Sequence, residues 1–371
     1  MTSGHIAGSS ATSIRHLSIT RREFLQQAGL AAVGVVLAGC RGTSEPQAER
    51  PKVAVAKADS YEPDLIRQRV EAMLEGIGGL SDVVGSGDRV TIKVNLTGGL
   101  NFIPPAGYSA VESYLTHPEV VKALCELLID AGAAKLTIVE AVFDDASYGA
   151  FGYKDIARGV SADLIDLNAP APYSGFNTTS VGPDAFVYET FDLNPILEET
   201  DVFVSVAKMK CHYECGVTHT MKNLVGLVPV THYRQSENHW WRSGLHGNAD
   251  EIRQRLPRAI VDLNRARSID LAIIDGVLTG EGGEVPRGSF RPVQPGVLLA
   301  GKNAVATDAV ATAAMGFDPT AEAPKEPFLR CDNHLSLACE LGLGTNRLNE
   351  IEIVGEALED VVYQFQPSRS M

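Results

Sequence analysis

Residues 202–226 read VFVSVAKMKCHYECGVTHTMKNLVG. Val202–Val206 has the pattern of a buried strand. Lys208–Gly226 then packs three Lys, two His, two Cys and an Asn into nineteen residues. In extended chain, residues two apart share a face, which groups Lys208, Lys210 and His212. Helical spacing over Gly216–Val228 would put His219, Lys222, Asn223 and Gly226 on one stripe. Val217, Met221, Leu224, Val225 and Val228 would fall on the opposite one. The expectation is a strand end, a basic loop and a helix with an apolar back and a reactive front.

Strand-like and helix-like segments alternate on both sides of this stretch. Lys52–Lys57 is a short apolar strand. Pro63–Ile77 has helical spacing with Pro in the first turn. Arg89–Leu96 (RVTIKVNL) is a strand. Pro118–Ala131 is an amphipathic helix, with Thr116 expected as its cap, and Lys135–Ala141 (KLTIVEA) is the next strand. Asp144–Asn194 is less regular, with a strand at Asp163–Leu167. Beyond the central stretch come a polar loop at Val230–Asn248 and a helix at Ala249–Arg265, interrupted or bent at Pro257. Strands follow at Ile269–Asp275 and Val297–Ala300, then a helix at Asn303–Met315 and a last strand at Glu350–Gly355. This order predicts an α/β fold: a mostly parallel, doubly wound sheet with helices on both faces, insertions after the third strand, and one large domain over 51–371 that has room for two lobes.

The first fifty residues carry a different kind of signal. Thr20-Arg21-Arg22-Glu23-Phe24-Leu25 resembles a twin-arginine export signal. The apolar stretch Ala28–Ala38 that follows is too short to span a membrane. Leu37-Ala38-Gly39-Cys40 resembles a bacterial lipobox. Residues 1–39 are therefore expected to be removed by processing, with a lipid on Cys40 and a polar tether over 40–50. The partners this implies are the twin-arginine export machinery and a membrane surface facing the periplasm or cell exterior. Arg15, Arg21, Arg22 and Glu23 are the charges lost, which takes the net charge from −14 to −16. A surface this acidic repels phosphate backbones, so nucleic acid is excluded as a general partner.

Polar residues sit just past the apolar strands: Asn95, Glu140, Lys208–His212 and Asp275. In open α/β sheets, ligands bind beyond the carboxyl ends of the strands. Three lysines near His212 point to a small anionic substrate, a carboxylate or phosphate. Lys210 and Lys222 are candidates for charge contact or nucleophile, and His212 for acid–base work. Lys93 shares a strand face with Asn95 and either faces this crevice or lies at a solvent edge. Glu140, Asp275 and Asp308 fit two readings: ligands of a divalent cation such as Mg²⁺, or helix caps and loop hydrogen bonds. His212, His232, His239 and His246 offer a transition-metal alternative. Gly280 and Gly282 allow close backbone approach to a ligand or make turns. No G-x-x-x-x-G-K-[ST] or strand-to-helix G-x-G-x-x-G is present, so no standard nucleotide site is expected, and no cysteine run fits an iron–sulfur cluster. Cys211/Cys215 and Cys331/Cys339 are spaced for disulfides in an oxidising compartment.

The motifs resemble those of the family of unknown function numbered 362. Its K-x-N strand is matched by Lys93 and Asn95. Its K-x-K-x-H and T-x-x-x-K-N-x-x-G segments are matched by Lys208, Lys210, His212, Thr218, Lys222, Asn223 and Gly226. Its D-G…G-x-G is matched by Asp275, Gly276, Gly280 and Gly282, and its G-x-N-x-x-A-x-D-A-V by Gly301, Asn303, Ala306, Asp308, Ala309 and Val310. The ferredoxin-like cysteines that some members append are missing, which argues against an electron-transfer role. The family has no settled reaction, so the resemblance implies cofactor-binding or catalytic roles for Lys93, Asn95, Lys208 and Asn223 without naming the chemistry. A more remote similarity to nickel-pincer lactate racemases would imply two α/β lobes around a Lys/His site acting on 2-hydroxy acids. Two functional classes stand: an enzyme on a small anion, and a binding lipoprotein without turnover.

Overall fold

The computed structural model describes residues 49–370 apart from Ala249. The export signal, the lipobox with Cys40 and most of the tether lie outside the described residues. The strands run in chain order as β1 (Lys52–Lys57), β2 (Arg89–Lys93), β3 (Lys135–Glu140), β4 (Asp163–Asp166), β5 (Asn177–Ser180), β6 (Thr190–Leu193), β7 (Val202–His212), β8 (Gly216–Thr218), β9 (Leu271–Glu281), β10 (Arg291–Val293), β11 (Val297–Gly301) and β12 (Glu352–Gly355). The main sheet has the order β12-β1-β11-β9-β7-β2-β3-β4. β9, β7, β2, β3 and β4 are mutually parallel, while β11 runs against both its neighbours. β5 and β6 form a separate hairpin within the expected insertion.

Helices cover both faces. On one lie α1 (Pro63–Gly76) and α2 (Pro118–Asp130); on the other lie α5 (Ile252–Ala266) and α6 (Ala304–Ala314), with the single-turn α4 (Thr220–Asn223) below them in chain order after α3 (Tyr153–Gly159). Alternation along the strands produces this layering, because successive side chains leave a strand on opposite faces. Ala54, Ala56, Leu271 and Ile273 pack with Ile66, Val70 and Met73 of α1. Val53, Val55 and Ile274 pack with Ile260 and Leu263 of α5 and Val310 of α6. α1 begins with Pro63 at its first turn, where no N–H is needed. α2 is capped by His117, whose Nδ1 accepts from the Glu119 N–H at 3.2 Å. Thr116, the expected cap, instead bridges strand ends: its Oγ1 accepts from the Asn95 N–H and donates to the Val206 carbonyl.

Three local expectations are corrected. β7 does not stop at Val206 but runs to His212, buried throughout. Its lysines remain in the sheet because buried acceptors satisfy their ammonium groups. No helix starts at Gly216. Gly216, at φ +80°, turns the chain into β8, which pairs back on β7 through Lys210–Thr218 and His212–Gly216. Helix begins only at Thr220 and tightens to a 3₁₀ turn over Leu224–Leu227. α5 is not interrupted at Pro257 but runs on through it. Proline removes the N–H that would serve the Arg253 carbonyl, and that carbonyl accepts from the Asp332 N–H at 3.0 Å instead.

Candidate active site

β2, β3 and β7 run parallel, so their carboxyl ends open on one edge. A cavity of about 300 Å³ lies there. The strand ends supply Lys93, Asn95, Glu140 and His212; α4 and its 3₁₀ extension supply Lys222, Asn223 and Gly226. Four loops close the rim, with Phe102, Phe143, Trp240 to Arg242, and Arg287.

The floor is a buried polar network. Lys93 Nζ lies 2.9 Å from Glu140 Oε1 and donates to the Val94 carbonyl and Asn223 Oδ1. Glu140 also accepts from the Leu96 and Ala141 N–H groups. Asn223 Oδ1 accepts from Asn95, and its amide donates to Ser205 Oγ and the Lys93 carbonyl. A lysine in the middle of an apolar sheet is tolerated because all three of its protons are placed. Burial nonetheless pushes Lys93 down to about 8, against the pull of Glu140. Asn95 Oδ1 is the one buried acceptor of this network left without a partner.

Lys222 is different. It is half-buried, lines the cavity and has no hydrogen bond or ion pair with any described residue. His212 stands beside it. Its Nδ1 accepts from the Glu214 N–H at 3.1 Å. Burial, with Lys222 adding to it, holds the ring well below 6.5, so the imidazole is neutral. With Nδ1 accepting, the proton sits on Nε2, which makes that atom a donor. Glu214 is engaged by His246 Nδ1, and Glu284 accepts from the Tyr213 N–H.

Not all the sequence candidates reach this cavity. Lys210 lies behind it, donating to the Tyr114 carbonyl at 2.6 Å; burial pushes it down to about 7, against the pull of Glu284. Lys208 is paired with Asp275 at 2.9 Å, and its other protons go to Tyr61 and the Val111 carbonyl. Asp308 accepts from the Thr220 and Met221 N–H groups and so pins α4 to α6; burial pushes it up to about 7. Glu140, Asp275 and Asp308 are thus each committed to a different partner set, not gathered as cation ligands. Among the described residues, no group of three or more His, Cys, Asp or Glu is placed to hold a metal ion. Of the four histidines considered for a transition metal, only His212 and His246 share the cavity. His232 pairs with Asp192 and His239 meets Ser243. His219 packs on Met315 in the core, away from the stripe expected for it. Gly280 and Gly282 stand against Phe290 and Ser289 and do not line the cavity. Cys211, Cys215, Cys331 and Cys339 carry free thiols.

The rim was missed from sequence. Its one visible signal was Trp240-Trp241, the only two tryptophans in the chain. Arg242 holds this rim in place by donating to the Val228 and Ala141 carbonyls.

The buried lysines make a prediction about pH. Lys210 and Lys93 titrate in the folded chain at about 7 and about 8, below the ordinary lysine value of 10.5. Above those values the unfolded chain binds more protons than the folded one, so stability rises with pH. We expect urea midpoints to climb between pH 7 and 8.5; above that the thiols of the unfolded chain ionise while the buried Cys125, Cys211 and Cys331, pushed up to about 12, stay protonated, which works against the rise. Lys210→Met should remove the part of the rise that starts near 7 and leave the part that starts near 8. A flat profile in the parent chain would refute the assignment.

A family profile described as Domain of unknown function (DUF362) matches residues 90–313. The thylakoid-associated protein sll1697 of Synechocystis sp. is 28% identical over 271 residues, covering 72% of this chain and 75% of that protein. Among solved structures, a Thermotoga maritima protein aligns with a TM-score of 0.34 at 11% identity, covering 77% of this chain and 60% of that one. The lactate racemase apoprotein from Thermoanaerobacterium thermosaccharolyticum aligns at 0.35 and 15%, covering 66% of this chain and 54% of that one. This chain therefore spans less than two thirds of either solved structure, and neither likeness bears on chemistry.

Proposed function

The chain belongs to the DUF362 family, and from its cavity we propose that it is an enzyme acting on a small anionic molecule, a carboxylate or a phosphate. The carrying observation is Lys222: a half-buried ammonium in the cavity wall with no hydrogen bond or ion pair to any described residue, beside a neutral His212. Every other lysine at this edge of the sheet is spent on a protein acceptor. Lys222 takes the anion's charge, and His212 Nε2–H donates to one of its oxygens. A cation and a neutral imidazole donor together suit a step that builds negative charge on oxygen.

The test is ligand binding and turnover by the same protein. Inorganic phosphate and a panel of short carboxylates are titrated by calorimetry, and each mixture is followed by mass spectrometry for conversion. Lys222→Ala should weaken binding of the preferred anion at least about tenfold, the loss expected for one charge-assisted contact. His212→Ala should spare most of the binding and lower conversion by roughly a hundredfold or more. If an anion binds through Lys222 and is returned unchanged under all conditions, the chain is a carrier. If no anion binds, the reading fails.

The export reading belongs to the same proposal. The chain is exported by the twin-arginine route and is held on a membrane by a lipid on Cys40, facing the periplasm or the cell exterior. The association with thylakoids in the name of the Synechocystis relative is in keeping with a membrane-surface location. Among the described residues, no helix is long and apolar enough to cross a membrane. Labelled palmitate should enter the wild-type chain and not Cys40→Ser, and the double variant Arg21→Lys, Arg22→Lys should stay in the cytoplasm. Labelling that survives Cys40→Ser would refute the anchor.

A further inference from the structure

We propose that the anion taken by this cavity carries a flat apolar body, an aromatic ring, attached to its charged group; this rests on the anion-binding reading given above. The cavity is lined by aromatic and apolar side chains as well as by polar ones. Lys222 and His212 are among the polar groups, and Phe102, Phe143, Trp240, Val225 and Val285 are among the aromatic and apolar ones. A carboxylate or phosphate alone matches only the polar groups. The cavity has room for roughly ten waters at about 30 Å³ each, so a bare anion would leave most of it filled with water.

The Phe143 and Trp240 rings are 5.4 Å apart at 72°, an edge-to-face pair. The Phe102 ring is edge-on to Tyr114 at 6.4 Å and 81°, and the Arg287 guanidinium lies 5.3 Å from its centre. Edge-to-face partners of this kind favour another ring over an alkyl chain, because a ring offers both a positive edge and a negative face. Trp240 is the most telling element. Its ring is 51% exposed at the rim. It is not exposed because its loop is loose: Gln235 N–H donates to Ser243 Oγ, Ser243 Oγ meets His239 Nδ1 and Gly244 N–H donates to the Tyr233 carbonyl, each at 2.8 Å. A large apolar ring fixed half in water beside a cavity is surface that a bound molecule covers.

Both tryptophans of the chain lie on this cavity, so their emission reports on it directly. Binding is measured for phosphate, propionate, 3-phenylpropionate and 3-phenyl-1-propanol in the full chain and in Trp241→Phe, where Trp240 is the sole reporter. We expect 3-phenylpropionate to bind at least about tenfold tighter than propionate, with a blue shift of Trp240 emission. Trp240→Ala and Phe102→Ala should bring the ratio of 3-phenylpropionate to propionate affinity down toward one. Lys222→Ala should weaken both acids. Propionate and 3-phenylpropionate binding equally would overturn this inference and leave the anion reading standing. Phenylpropanol binding as tightly as the acid would overturn the anion reading and with it this proposal, and so would the absence of binding by every anion.

Discussion

Asp275→Ala is expected to lower the unfolding free energy by about 3–5 kcal/mol, the loss typical of stripping one partner from a buried charge pair. Asp275 accepts from Lys208 Nζ at 2.9 Å, from Tyr61 Oη at 2.7 Å and from the His117 N–H at 2.9 Å. Its removal leaves the ammonium of Lys208, which is fully buried, with only Tyr61 and a backbone carbonyl. Burial already opposes that charge and lowers the Lys208 pKa. The double variant Lys208→Met, Asp275→Asn should recover much of the loss, because no uncompensated charge remains. Neither residue lines the cavity, so Lys222-dependent anion binding should survive in whatever fraction is folded. Denaturant unfolding of Asp275→Ala and of the double variant measures this. A change below about 1 kcal/mol for Asp275→Ala would mean that the pair is not buried in solution.

Gly226→Ala is expected to cost about 3 kcal/mol and to abolish anion binding. That is the upper end for overpacking, and there is a reason to expect the upper end. A methyl group at Gly226 would run into Glu140 Oε1 and the Lys93 ammonium, with Lys93 Cε at 2.8 Å. Neither side chain can turn aside: Glu140 is held by the Leu96 and Ala141 N–H groups, and Lys93 by the Val94 carbonyl and Asn223. The clash therefore breaks the floor of the cavity rather than shifting one rotamer. Gly283→Ala is the control. Its new methyl meets nothing nearer than 3.7 Å, and it should fall within about 0.5 kcal/mol of the parent. A melting temperature for Gly226→Ala within error of the parent would refute this account of the floor.

Much of the architecture was legible in the chain. Runs such as KVAVAK, RVTIK and KLTIVE became β1, β2 and β3, and the Pro63 and Pro118 helices start at those prolines. These are local signals, carried by β-branched alternation and by first-turn proline. The reading failed where locally strong chemistry was overruled. KMKCH looks like a loop because charged residues are costly in a sheet. It is strand because its acceptors arrive from elsewhere, Asp275 for Lys208 and the Tyr114 carbonyl for Lys210. The helical spacing of 216–228 was real as a pattern, but a glycine turn and pairing with β7 took its first residues.

The sequence by itself determined the α/β class, the main alternation of strands and helices, and the edge where Lys93, Asn95, Glu140 and His212 emerge. It could do so because hydrophobic period and chain direction are properties of neighbouring residues. Only the tertiary structure decided which lysine is free. Lys93, Lys208, Lys210 and Lys222 look alike along the chain. Three of them are satisfied by groups brought from distant segments, such as the carboxylate of Asp275, 67 residues from Lys208. Lys222 is left facing the cavity. That difference is set by long-range contacts, which no local pattern records.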